Sequence, residues 1–170
     1  MNIKAALAIN GTAVRAYEPV SWAALEREWA STLEQAGRLS DADRRRSVNG
    51  EWSFVDTLRH LVFAIDKWFT VPSAGSRFHA IGIPNSGSAS LPWDGLDPDA
   101  DPTYDEVLAV RSDRSRRFAE HLAGLTDGDL DRDVDILENG TVPLRECVYT
   151  VFEEEFEHRR YALRDLAEVG

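Results

Sequence analysis

A histidine and two glutamates fall on the core-facing stripe of the last long periodic segment, Val151-Phe152-Glu153-Glu154-Glu155-Phe156-Glu157-His158-Arg159-Arg160-Tyr161-Ala162. Wound as a helix at about 100° per residue, Leu144, Cys147, Val148, Val151, Ala162 and Leu166 gather on one side. His158 lies within roughly 50° of their centre, and Glu154 and Glu155 fall inside the same arc. Burying an unpaired carboxylate is costly, so these groups must be hydrogen-bonded, ion-paired or wrapped round a cation. Glu154 and His158 are one turn apart and point the same way, as two metal ligands from one helix must. A third ligand has to come from another helix. The best candidate is His60, in Ser53-Phe54-Val55-Asp56-Thr57-Leu58-Arg59-His60-Leu61-Val62. The wheel places His60 roughly 140° from the apolar centre of its own helix, a position suited to the rim of a cavity or to solvent. Spacing alone therefore leaves a metal site and a buried ion-pair network both open.

Other polar residues fall on or beside core faces. Arg111 lies on an apolar stripe between Leu108 and Phe118, where arginine must be paired. Its simplest partner is Glu155 or another inward acid, and its sharper role is gripping an anionic substrate. Glu155 also stands three residues before His158. A di-iron bundle needs two such Glu-x-x-His motifs, and this chain has one. Asp56, one turn before His60, is placed either to orient that ring or to cap its own helix. Tyr161, beside the ligand arc, is placed to line the mouth of a cavity. Cys147 sits two turns before Glu154, too far to share an ion with it, and reads as a small core residue. His79 and His121 read as ordinary surface or loop histidines. No nucleophile elbow, phosphate loop or dinucleotide fingerprint is present.

Four helical segments must position these groups, and no convincing alternating strand pattern competes with them. The first runs from about Pro19 to Gly37, with Trp22, Leu25, Trp29, Leu33 and Ala36 at helical spacing. The second opens at Ser53, which with Asp56 forms a variant capping box, and runs through Leu58, Leu61, Val62, Ile65 and Phe69 to about Pro72. The third starts at the Thr103/Glu106 capping box after Pro102 and ends near Gly124. The fourth takes Pro143 in its first turn and runs to about Leu166. The expected fold is all-α, a four-helix bundle with a long crossover between helices 2 and 3. That crossover, Ser73 to Asp101, is rich in Ser, Gly, Pro and Asp. It is expected to patch the bundle end with Ile83 and Trp93, with a substrate-contacting lid as the alternative. The connection from Thr126 to Val142 is acidic and polar. Residues 1–170 are read as one domain, with residues 1–18 an N-terminal arm.

Composition narrows the function classes. The 170 residues carry 19 Lys plus Arg against 30 Asp plus Glu, a formal net charge of −11, and such a surface repels a phosphate backbone. The Arg44-Arg45-Arg46 triplet is flanked by Asp41 and Asp43 and reads as a solvated loop, so nucleic-acid binding is not expected. The apolar run Ala5 to Ile9 is too short for a signal-peptide core, and no stretch approaches the roughly 18 apolar residues of a membrane helix. One cysteine allows no internal disulfide. A soluble, cytoplasmic protein without membrane association is expected.

Two stretches carry a family resemblance. Trp52-Ser53-x-x-Asp56-x-Leu58-x-His60-Leu61, followed nearly a hundred residues later by Glu153-Glu154-Glu155-x-Glu157-His158-x-x-Tyr161-Ala162-x-Arg164-Asp165-Leu166, resembles the DinB-like superfamily. It is most similar to the branch that includes the mycothiol-dependent maleylpyruvate isomerase metal-binding domain. The resemblance implies a four-helix bundle, commonly a homodimer, that binds a divalent metal through His60, Glu154 and His158. Many relatives have histidine where this chain has Glu154, and the isomerase-like branch has glutamate there. The isomerase carries an additional C-terminal domain for which no counterpart is expected here, so its reaction is not expected to transfer. Three ligands leave a position open for water or substrate, which marks a catalytic rather than a structural site. The implied metal is zinc or nickel first, although His/Glu/His also holds manganese or iron. The implied activity is a low-molecular-weight-thiol S-transferase or thiol-dependent isomerase acting on a small-molecule substrate, with a thiol such as mycothiol as cosubstrate. Arg111, Glu155 and Tyr161 are the candidate substrate contacts, with Asp56 behind His60. The alternatives are a metal-dependent hydrolase, in which Glu155 or Asp56 moves the proton, and a non-catalytic metal-binding or stress-associated protein.

Overall fold

The computed structural model describes residues 11–170. The apolar run Ala5 to Ile9 lies outside the described residues, as does the expected arm up to residue 10. From residue 11 the backbone is already helical. Four long helices carry the fold: α1, Gly11–Gly37; α2, Phe54–Ile65; α3, Tyr104–Gly124; and α4, Leu144–Val169. They pack as a ring in which α1 and α2 each lie against both α3 and α4. α1 begins before Pro19, the residue at which its start is expected, because the run of the helix outweighs one missing backbone donor. Its predicted stripe faces inward, with Trp22, Leu25, Trp29 and Ala36 buried. The Trp22 ring meets Phe118 of α3 edge-on at 4.7 Å and Phe152 of α4 at 5.3 Å, which joins three helices at one point.

α2 starts where its cap predicts. Ser53 Oγ accepts the Asp56 backbone N–H at 3.1 Å and donates to the Asp56 carboxylate at 2.6 Å. The helix does not stop at Pro72. It widens into a π-turn over Asp66–Thr70 and resumes as Val71–Ala74, ending at Gly75 in the left-handed region with φ 59°. The π-turn restarts the register, so Pro72 stands in a first turn, where its missing N–H is not needed. Thr103 and Glu106 make both bonds of the capping box that opens α3.

The crossover after α2 is an ordered cover. Arg59 reaches out from α2 to donate to the Ile81 carbonyl at 2.8 Å and the Ala100 carbonyl at 2.9 Å. Asp66, fully buried, accepts the His79 backbone N–H at 2.8 Å and Arg114 Nε at 2.6 Å. Every residue of α2 except Asp56 is therefore buried, the polar ones included. Gly95 allows the close return of this segment. Its φ is +104°, and a Cβ there would stand 2.4 Å from the Phe78 carbonyl oxygen.

The Arg44-Arg45-Arg46 triplet departs from the expected solvated loop. Arg44 donates to the Leu39 carbonyl at 2.7 Å and stacks over Tyr104, and Arg45 binds Asp101 at 3.0 Å and the Pro102 carbonyl. It fastens the α1–α2 connection to the start of α3. A short antiparallel hairpin, β1 (Asp133–Asp135) with β2 (Thr141–Pro143), occupies the connection between α3 and α4, with Val134 opposite Val142. Three residues per strand are too few to leave an alternating pattern. Pro143 ends β2 and caps α4 instead of lying in its first turn.

A buried ion pair crosses the core. Arg111 of α3 donates to Glu155 of α4 at 2.6 Å, with side chains 4% and 1% exposed. Glu26 of α1 approaches Arg111 at 3.5 Å and accepts Ser115 Oγ at 2.6 Å, and the guanidinium lies 4.6 Å from the Trp29 ring centroid. Burial pushes the Glu155 carboxyl up, and Arg111 pulls it back. Glu155 Oε1 and Arg111 Nε have no hydrogen-bond partner among the described residues, so the pair is incompletely satisfied there. Arg111→Met should cost about 3–5 kcal/mol by stranding a buried carboxylate, whereas Arg111→Met/Glu155→Leu should recover most of that loss. Urea unfolding of the two variants measures both. Gly95→Ala should lower stability by about 1–3 kcal/mol from backbone strain, with a further penalty from the Phe78 contact, in the same assay.

Candidate metal centre

α2 and α4 bring the predicted ligands together. One ligand atom each from His60, Glu154 and His158 lies within 4.8 Å of the other two. Glu154 Oε2 stands between the histidines, 3.3 Å from His60 Nε2 and 3.2 Å from His158 Nδ1. His60 is 4% exposed. It is not at a rim or in solvent as its wheel position suggests, because the crossover covers the polar face of α2.

Backbone carbonyls orient both imidazoles. His60 Nδ1 donates to the Ile83 carbonyl at 2.9 Å, and His158 Nδ1 donates to the Glu154 carbonyl at 2.9 Å. These bonds assign the Nδ1–H tautomer to each ring and leave each Nε2 with a lone pair. In neutral His60 that lone pair faces the Glu154 carboxylate. That 3.3 Å contact is satisfied by a proton on His60 Nε2 or by a cation between the two acceptors, and the donor set suits a divalent metal. The Trp52 ring covers the imidazoles, with its centroid 4.5 Å from that of His60 and 6.1 Å from that of His158.

The electrostatics favour the ligating forms. Burial pushes the Glu154 carboxyl up, but the hydrogen bond from His60 and the charges of His60 and His158 outweigh it, so the group sits below its ordinary range. Burial and then the charge of His60 hold His158 below the ordinary imidazole range. A neutral His158 beside an ionised Glu154 is the state a metal requires.

The remaining predicted residues divide. Tyr161 is at the centre, 43% exposed and edge-on to His158 at 5.8 Å. Arg111 and Glu155 are not: they pair with each other in the core at 2.6 Å, with side chains 4% and 1% exposed. Asp56 does not orient His60, since it is engaged with Ser53 and lies 3.6 Å from Arg59, and the Ile83 carbonyl takes that role. Cys147 is buried, with its thiol pushed up to about 11 by burial. His79 lies on the crossover and His121 packs on Phe69, both away from the cluster. Sequence reasoning missed Trp52 and Ile83 as parts of the site. Trp52 directly precedes the cap of α2, a position that carries no signal of which ring it will cover. Ile83 acts through its backbone, which residue type does not encode.

Among the described residues no helix is long and apolar enough to cross a membrane. Comparison with curated proteins and with solved structures returns no significant match. The family model of the DinB superfamily matches residues 24–162, which is most of the chain and includes all three clustered residues. With its helical architecture and its His/Glu/His cluster, the chain belongs to the DinB superfamily.

Proposed function

We propose that the protein is a metal-dependent enzyme of the isomerase-like branch of this superfamily, using a low-molecular-weight thiol such as mycothiol in S-transfer or thiol-assisted isomerisation of a small-molecule substrate. The observation that carries this reading is the convergence of His60, Glu154 and His158 within 4.8 Å, with both Nδ1 atoms tied to backbone carbonyls. Zinc or nickel is the proposed ion. No fourth His, Cys, Asp or Glu joins the group among the described residues, and the Glu154 side chain keeps 28% of its exposure. An open, reachable position is what a catalytic rather than a structural site needs.

A divalent metal bound there supplies a Lewis acid that lowers the pKa of a coordinated water or thiol. The chain's own groups prepare the site. His60 and His158 supply imidazole donors, and Glu154 brings the negative charge that offsets the ion. Trp52 excludes water from one side of the imidazoles, and Tyr161 stands at the exposed edge, where a substrate meets the site. The superfamily resemblance further points to a homodimer, which light scattering coupled to size exclusion checks.

Protein purified without chelator should carry about one divalent metal per chain, a count that suits one three-ligand site. His60→Ala and His158→Ala should lose it while their helical circular dichroism survives. Wild-type protein that takes up no metal after reconstitution with zinc or nickel overturns the reading.

Acid should empty the site, because each ligand must be deprotonated to bind. His158 and Glu154 both sit below their ordinary ranges, so protons compete with the metal only at lower pH than for free side chains. Dialysis at steps from about pH 8 to about pH 4 should leave occupancy unchanged down to about pH 6.5, the ordinary imidazole value, with release below it. Elemental analysis of each sample gives the profile.

A further inference from the structure

Phe63 separates two compartments on one face of α2. On one side its ring lies 6.0 Å from that of His60, and on the other it packs against Phe78 and Trp93, each at 5.2 Å. Beyond those two rings opens a cavity of about 440 Å³, walled by Val71, Phe78, Leu91, Pro92, Trp93 and Leu137, with Glu138 at its edge. That volume is within the range of small-molecule sites. Leu91 and Leu137 are 38% and 47% exposed, so apolar side chains stand in water where a ligand would cover them.

The cavity also has a cation behind it. Lys67, one turn beyond Phe63, is 6% exposed, and its ammonium lies 5.2 Å from the Trp68 ring and 5.4 Å from the Trp93 ring. It donates to Glu138 Oε1 at 2.6 Å. Glu138 sits on the Leu137–Asn139 turn between β1 and β2, where Leu137 holds φ at 42°, a left-handed conformation that costs a residue with a Cβ. The counter-ion of a nearly buried ammonium therefore rests on a strained surface turn. The other acid at the cavity, Asp94, is already bound by Arg77, with Nε 2.9 Å from Oδ2.

We propose that this cavity is a binding site for a small apolar anion, an aromatic or branched carboxylate or sulfonate. Its hydrophobic part lies against Phe78, Trp93 and Leu137, and its acid group takes the place of Glu138 on Lys67. The site goes beyond the metal-centre reading and does not rest on it: the Phe63 ring lies between the two, and only the charge of Lys67 reaches across to Glu154.

The test is fluorescence titration of the intact chain with 8-anilinonaphthalene-1-sulfonate and with its neutral analogue N-phenyl-1-naphthylamine, alongside circular dichroism of each variant. Wild type should bind the sulfonate at one saturable site per chain. Lys67→Met should weaken it about tenfold or more, the scale of one charge-assisted hydrogen bond, while the neutral probe binds both proteins alike. Glu138→Gln should tighten the sulfonate, and Lys67→Met/Glu138→Gln should lose that gain. His60→Ala should leave both probes unaffected, which separates this site from the metal centre. Absence of saturable binding by wild type overturns the proposal. So does a gain in Glu138→Gln that persists without Lys67, since that pattern marks a loosened core.

Discussion

The arrangement depends on α2 being covered on every side. A helix that carries Arg59 and His60, and in the π-turn that continues it Asp66 and Lys67, can be buried only if these groups find partners, because an unpaired buried charge costs more than the packing around it returns. Each of the four does. Arg59 takes two carbonyls of the crossover, His60 takes a third, Asp66 takes a backbone N–H and an arginine, and Lys67 takes Glu138. The crossover is therefore a structural layer, and its contact with His60 Nδ1 makes it part of the candidate metal centre.

That coupling explains why the site sits between α2 and α4. α4 offers Glu154 and His158 one turn apart, and packing against α2 sets His60 beside them. His60 is buried, and Glu154 and His158 are largely withdrawn from water beside it. The carbonyls of Ile83 and Glu154 take the two Nδ1 protons, and His60 Nε2 turns toward the Glu154 carboxylate. The next residue on α4, Glu155, faces the other way and pays its desolvation with Arg111. Two adjacent glutamates thus serve opposite ends, one neutralising a buried arginine and one completing a donor set.

Much of this was legible in the chain. The four helices, the caps at Ser53 and Thr103, and the inward stripe of α1 follow from short-range periodicity and capping chemistry, which depend on neighbours a few residues away. Glu154 and His158 could be paired because one helix carries both. His60 could be named as the third partner, but its wheel position argued for exposure, since periodicity reports only the face turned to the bundle. The π-turn that carries α2 past Pro72 and the hairpin at residues 133–143 were not legible, because each depends on contacts between distant residues, and neither was the helical backbone before Pro19, which runs against the local preference of proline.

By itself, then, the sequence determined helix positions, the donor types and the superfamily to which the chain belongs, because these reside in residue identity and spacing. Only the tertiary structure decided which acid meets the arginine and which meets the histidines, which backbone carbonyl orients His60, and that Trp52 covers the imidazoles. Those outcomes depend on side-chain direction and on long-range packing, and a run of residues carries neither until the helices have docked.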